Sequence, residues 1–217
     1  QSYIQKKYNL ESEYIAYGAH VFTNPEEEKL NLFNVLPYQY NMIMARFEPE
    51  NNIEMVLDGV VLSEFKQDIL VIGNYKTKFG YYLKNKFKEF ENIKFLGALY
   101  DIEVLNNLRY FSNLYFHGHT VGGTNPSLLE AMASKALIAA HNNEFNRGVL
   151  KSNAFYFENA LEVTNILNTS KKIDNLHWVN NNFEAIEQQF NWNIINEQYL
   201  QFFRKSLDRF KRNTEIK

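Results

Sequence analysis

Cysteine is absent from all 217 residues, which removes disulfides, zinc–thiolate sites and thiol catalysis together and fits a reducing compartment. Long apolar runs are missing too. Nothing approaches the roughly 20 uninterrupted apolar residues that a membrane-spanning helix needs. Nor is there an excess of one charge: 23 Lys and Arg against 25 Asp and Glu leave −2. No whole-chain field therefore recruits nucleic acid or anionic lipid. Local basic stretches at 76–88 and 204–212 read as solvated helix faces. Internal repeats and low-complexity segments are lacking. The opening is polar, without a signal-peptide pattern, a strand–Gly-rich turn or an initial Met. The expectation from this start is a fragment of a longer protein.

What is present is ample core material. Hydrophobic residues make up 45% of the chain and aromatic ones 16%, with 18 Phe and 14 Tyr. From about Tyr38 onward, short apolar runs alternate with amphipathic stretches. Residues 42–45, 69–73, 93–97, 114–116, 137–140 and 154–157 read as six strands. Between them, 51–62 and 79–90 carry apolar residues at helical spacing. Asp101 is placed to cap a helix bearing Ile102, Leu105 and Leu108, and 125–135 reads as another helix. Strands separated by helices, without hairpin turns, predict an α/β protein: a Rossmann-like, doubly wound, parallel six-stranded sheet.

Residues 1–34 hold a lone strand-like Tyr14-Ile15-Ala16-Tyr17-Gly18-Ala19 and an acidic turn with Glu26-Glu27-Glu28, read as a solvated linker. After Leu161 the chain reads as helical. Asn191 is placed to cap a helix carrying Trp192, Ile195, Tyr199, Phe202 and Phe203, a wide apolar face that needs a partner. Either this domain or another one could supply it.

Chemistry concentrates in 117–133, where a strand runs into a Gly-rich loop and a helix start. Thr124 or Asn125 can cap that helix, and Pro126 suits its first turn. The amides of Asn125, Ser127 and Leu128 would then face the loop with the positive end of the helix dipole behind them, a site for a diphosphate. Gly122 and Gly123 allow close backbone approach and positive φ. Glu130, about one and a half turns into the helix, can accept hydrogen bonds from a vicinal diol. His117 and His119 alternate off the strand end, so one faces the core and one the cleft. Without Cys, Asp or Glu at ligand spacing they make a poor metal site, and neither metal nor cofactor is expected.

The run Val121-Gly122-Gly123-Thr124-Asn125-Pro126-Ser127-Leu128-Leu129-Glu130-Ala131-Met132 resembles the donor-site motif of GT-B retaining glycosyltransferases. The preceding His117-Gly118-His119 resembles a bacterial rhamnosyltransferase-like branch of them. Residues 45–54 resemble the family's first-strand loop, and Phe95-Leu96-Gly97 its base-binding turn. The likeness covers roughly 14–205. It implies one half of a GT-B fold: 1–34 as the end of an acceptor domain and linker, 35–190 as the nucleotide-sugar domain, and 191–217 as a crossover helix.

By that resemblance, Glu130 takes the ribose hydroxyls and Arg46 the diphosphate. The backbone of Leu96 and Gly97 holds the base, the Gly122-to-Asn125 loop holds sugar and phosphates, and Gly73 and Asn74 border the cleft. Two positions depart from the family pattern. Its paired acid eight residues before Glu130 is Gly122 here, leaving loop amides, Thr124 or His119 to hold the sugar. Its basic residue five after the arginine is Asn51, with Lys76 or Lys78 as substitutes. Read without the family, Arg46 could simply pair with Glu48 or Glu50. Glu144 and Arg147 could reach sugar or acceptor, or form a local ion pair.

The implied activity is metal-independent, retaining transfer of a hexose or deoxyhexose, rhamnose in the narrower branch, from a nucleoside-diphosphate sugar to a lipid-linked or polysaccharide acceptor. The acceptor would be held by a further domain, so this piece alone is expected to be inactive. The implied location is cytoplasmic, with peripheral association at the inner face of the cell membrane open to the full-length protein. A sugar-nucleotide epimerase of the same shape and a non-catalytic nucleotide-binding module are the alternatives.

Overall fold

The computed structural model describes residues 2–64 and 67–215. Six strands form one all-parallel sheet: β1 (Tyr40–Met44), β2 (Asp68–Ile72), β3 (Ile93–Gly97), β4 (Leu114–His117), β5 (Ile138–His141) and β6 (Phe155–Phe157), in the order β3-β2-β1-β4-β5-β6. Every strand lies within two residues of the run that predicted it. The helices are α1 (Ser2–Tyr8), α2 (Ile53–Leu62), α3 (Lys78–Lys86), α4 (Ile102–Phe111), α5 (Pro126–Ala133), α6 (Glu144–Leu150), α7 (Ala160–Thr169), α8 (Leu176–Ala185) and α9 (Trp192–Glu215).

Side chains alternate across the sheet with period two, and each face has its own core. Tyr40, Met42, Leu70, Ile72, Tyr115 and Ile138 pack under α4 and α5. Ile43, Ile69, Val71, Leu114, Phe116 and Ala139 pack under α2, α3 and α7. Burial on both faces is why these strands read as continuous apolar runs rather than alternating ones. Asp101 caps α4 as expected, its Oδ1 accepting from the amides of Glu103 and Val104 at 3.0 and 3.1 Å.

Several expectations are corrected. Tyr14 to Ala19 is extended but joins no strand ladder; only Ala19 bridges, to Asn191. Glu26, Glu27 and Glu28 are exposed as expected, but the stretch is ordered: Glu27–Phe33 forms a 3-10 helix whose Leu30 is buried in the core under α4. Helix α3 stops at Lys86 rather than 90, with Phe87 at its C-cap and buried in the core. The sequence gives no signal for α6 beyond Asn143, whose Oδ1 caps it by accepting from Asn146 N at 2.9 Å. Along α9, Ile195 is fully buried, whereas Tyr199, Phe202, Phe203, Leu207 and Phe210 are exposed. Two of the basic residues there pair with the amino-terminal segment, Lys205 with Glu13 and Arg209 with Glu11. No helix among the described residues is long and apolar enough to cross a membrane.

Helices α2 and α7 meet at Gly59. A Cβ there would lie 2.5 Å from Val163 Cγ1 and 2.8 Å from the Ala160 carbonyl oxygen, while Thr164 Oγ1 donates to the Gly59 carbonyl at 3.0 Å. In a free helix, Gly→Ala gains about 1 kcal/mol. Here overpacking wins, so Gly59→Ala should lower stability by about 1–3 kcal/mol in urea unfolding. A gain in stability would show that the two helices are not in contact at this point.

Candidate functional site

The strand order reverses at β1, which lies between β2 and β4. The helix after β1 leaves toward one face and that after β4 toward the other, so their connections part above the carboxyl ends of the strands. A cleft of about 780 Å³ opens there.

One wall comes from the ends of β1 and β2. Arg46 is exposed in the cleft and forms no ion pair among the described residues, with Glu48 or Glu50 or otherwise. Its loop is held from behind: buried Asn51 donates Nδ2 to the Arg46 carbonyl at 2.8 Å. Asn51 therefore stiffens the arginine loop instead of supplying a second cation. Lys76 and Lys78 do not line the cleft. Gly73 adopts φ +150°, donates its amide to the Gly97 carbonyl at 2.9 Å, and sits where a Cβ would be 2.1 Å from the Ala45 carbonyl oxygen. Only glycine lets these strand ends approach so closely. Asn74 borders the same cleft.

The other wall is the loop and helix after β4. His119, Gly122, Asn125, Ser127 and Glu130 line the cleft. The two walls are stitched together: Asn52 Nδ2 donates to the Gly118 carbonyl at 2.7 Å, and Thr120 donates its amide and hydroxyl to the Glu50 carbonyl at 3.1 and 3.0 Å. Gly122 has φ +127° with open space around its Cβ direction. Backbone conformation, rather than crowding, therefore opposes an acid at this position.

Seven expected residues lie elsewhere, Glu144 among them. Leu96 and Gly97 stay within β3, and Ala98, Leu99 and Tyr100 just beyond them line the cleft. Leu128 is fully buried in the core. Gly123 and Thr124 turn to a neighbouring hollow shared with Tyr14 and Glu144, where Thr124 Oγ1 accepts from Tyr17 N at 3.0 Å. Arg147 packs on the Tyr156 ring and hydrogen-bonds Asn142, outside the cleft and without an ion pair to Glu144.

The helix amides are also corrected. Asn125, not Thr124, caps α5, and its Oδ1 accepts from Ser127 N at 3.0 Å. Leu128 N donates to the Asn125 carbonyl at 3.1 Å. The first-turn amides are thus already satisfied. Those of Gly122, Gly123, Thr124 and Asn125 donate to no acceptor among the described residues. Of these residues Gly122 and Asn125 line the cleft, so an anion there meets their amides first, with the helix dipole behind them.

The two histidines divide as their alternation predicts. His117 is buried and His119 lines the cleft, their rings stacked at 4.4 Å and 14°. Neither His117 nitrogen has a hydrogen-bond partner among the described residues. Burial, reinforced by His119, pushes His117 well below the usual imidazole range. Burial, then the charge of Arg46, brings His119 down to about 4. Both rings are neutral at pH 7.

A charged residue behind the site, like Ala98, Leu99 and Tyr100 within it, escaped sequence reasoning. Arg109, on the last turn of α4, is fully buried. Its Nη2 lies 2.5 Å from Glu130 Oε2, and its Nη1 donates to Asn106 Oδ1 at 2.9 Å. Glu130 Oε1 has no partner among the described residues. The guanidinium fixes one carboxylate oxygen and leaves the other for the cleft. The signal was present: Arg109 falls four residues after Leu105, on the apolar stripe of its helix, where a charge needs a partner.

No family model and no curated protein sequence matches the chain. Solved structures do. HepE from Anabaena, determined with UDP and glucose, has a TM-score of 0.73 at 17% identity over 82% of this chain and 52% of its own. Sucrose-phosphate synthase from Thermosynechococcus elongatus gives 0.77 at 14% identity over 96% and 56%. A glycosyltransferase from Rickettsia africae gives 0.72 at 14% identity over 95% and 61%. At these identities the likeness is one of fold: the chain has the fold of one domain of a GT-B glycosyltransferase, and it spans between half and two thirds of these proteins.

Removing Glu130 strands a buried cation. Full loss of a buried partner costs about 3–5 kcal/mol, but the Glu130 side chain is 35% exposed, which screens part of that. Glu130→Ala should therefore lower stability by about 2 kcal/mol, with a fall in Tm of roughly 4–8 °C. Wild-type Tm in the variant would show that Arg109 does not depend on it. The histidines give a pH prediction. Below 6.5 the unfolded chain protonates them while the folded chain does not, so stability is full above pH 6.5 and falls as pH drops toward about 4. Imidazole NMR should find His117 untitrated at pH 5; a His117 resonance titrating near 6.5 contradicts this burial.

Proposed function

We propose that this chain is the donor-binding half of a metal-independent, retaining glycosyltransferase. It would move a hexose or deoxyhexose from a nucleoside-diphosphate sugar to a hydroxyl of a lipid-linked or polysaccharide acceptor. The observation that carries the reading is the convergence on one cleft of an unpaired arginine, the unsatisfied amides of Gly122 and Asn125 and a carboxylate tethered from behind. The hard step is departure of the diphosphate as the anomeric carbon becomes cationic. Arg46 and the amides of Gly122 and Asn125 supply fixed positive potential where that charge develops. Glu130 Oε1 accepts from the ribose diol, and Ala98 to Tyr100 form the edge on which the base lies.

Support comes from HepE, which shares the fold and was solved with UDP-glucose as well as with UDP and glucose. Rhamnose rests on the His117-Gly118-His119 resemblance. The sugar would meet His119 as a neutral hydrogen-bonding ring. Acceptor groups would come from a second domain, covering the exposed aromatic face of α9. In this reading the chain binds donor but does not turn it over, and the full-length protein works in the cytoplasm, peripheral to the membrane.

Calorimetric titration of the chain with UDP, dTDP and GDP and their sugars tests this. One base should bind, and Arg46→Ala should weaken it about tenfold or more, the worth of a charge-assisted contact. Absence of binding to every compound, or equal affinity in Arg46→Ala, would sink the proposal. Epimerised sugar formed from donor alone would favour the epimerase alternative.

A further inference from the structure

The sheet has a second opening, at its other end. The chain enters β1, β2, β4 and β5 past Tyr38, Gln67, Asn113 and Lys135, each within three residues of the strand's start. All four line one cavity of about 780 Å³. It lies a strand's length, roughly 16 Å, from the nucleotide cleft, so nothing below depends on the function proposed above. The segment joining α7 to α8 closes the cavity with Lys171, Lys172 and Ile173. In open α/β sheets ligands sit at the carboxyl ends of strands, and the amino ends are ordinarily packed shut.

Three cations line this space, and no Asp or Glu among the described residues does. Lys135, Lys171 and Lys172 form no ion pair among the described residues. Lys172 is the deepest, 5% exposed. Its ammonium, with three donors to satisfy, reaches the Tyr110 carbonyl and the ring faces of Tyr38 and Tyr110, 5.5 and 5.1 Å away. A lysine stem is long enough to carry its charge to water, yet this one is held inside. Its backbone amide donates to Asn113 Oδ1 at 3.0 Å, and Asn113 in turn donates to the Ser170 carbonyl at 3.3 Å. Burial, with Lys135 nearby, pulls its pKa down to about 7. An uncompensated buried ammonium is costly, and the strain is not confined to it. Tyr38 and Lys135 both take left-handed backbone, φ +61° and +51°. Gln67 Oε1 is buried without a partner among the described residues.

We infer that this cavity binds a small organic anion, a phosphate or carboxylate group on a flat apolar body, with the Lys172 ammonium as its central contact. Its volume falls in the range of small-molecule sites, about 300–1,000 Å³, larger than a bare inorganic anion fills. The apolar body lies along Tyr38, Tyr110 and Leu176. The anion meets Lys172 and Lys135, with Lys171 toward solvent. The ligand completes the charge balance that the protein leaves open.

Calorimetric titration of the chain with phenyl phosphate, benzoate, inorganic phosphate and neutral benzyl alcohol tests it. The aromatic anions should bind, phenyl phosphate more tightly than inorganic phosphate, and benzyl alcohol at least tenfold more weakly. Lys172→Met removes the cation at nearly equal length. It should weaken phenyl phosphate tenfold or more, whereas Arg46→Ala in the opposite cleft should not. Should the Met variant fail to fold, Lys171→Ala and Lys135→Ala carry the test with several-fold losses. The inference is overturned if no anion binds at millimolar concentration, if the lysine variants that fold bind unchanged, if inorganic phosphate or benzyl alcohol binds as well as phenyl phosphate, or if Arg46→Ala abolishes binding.

Discussion

Arg109 is a full charge shut away from water between two helices, and the Glu130 carboxylate beside it is the counter-charge that makes this tolerable. The constraint runs outward from that contact. Asn106 accepts from Arg109 and from Ser134, tying the middle of α4 to the end of α5. Because the carboxylate cannot leave without stranding the guanidinium, Glu130 is held at the cleft in one orientation before any ligand arrives. A site whose acceptor is already oriented does not spend binding energy on ordering it.

The opposite wall obeys a similar logic with neutral groups. Asn51 braces the loop after β1 from within, and Asn52 and Thr120 cross-link that loop to the loop after β4. Asn143 and Asn146 both donate to the His119 carbonyl, at 2.9 and 3.1 Å, fixing the second loop from its far side. What these bonds leave open is as informative as what they hold. The side chain of Arg46, the amides of Gly122 and Asn125 and one oxygen of Glu130 stay unpaired around the same space. A ligand with a diphosphate and a diol satisfies all three.

Much of this was legible in the sequence, for identifiable reasons. Strands buried on both faces produce unbroken apolar runs, and Asp101 and Asn125 are side chains whose capping chemistry is local. The cleft followed from placing a Gly-rich loop at a strand end. Features that depend on distant partners were not legible. Leu30 draws an acidic stretch onto α4. Thr124 is diverted to hold Tyr17, and Asn51 reads as a lost cation until its bond to the Arg46 carbonyl is seen. Arg109 lies 21 residues before Glu130, and only the fold brings them together. The lysine cavity gathers the starts of four strands and a late connection, and no periodicity encodes it.

The central claim is that a buried arginine presents Glu130 to a ribose. The direct measurement compares the tightest-binding nucleoside diphosphate with its 2′,3′-dideoxy analogue, in the wild-type chain and in Glu130→Gln. Wild type should prefer the ribose form by roughly tenfold, the worth of about one hydrogen bond to a charged group, and the variant should lose that preference while binding the dideoxy form unchanged. An equal ribose preference in both proteins would contradict the account.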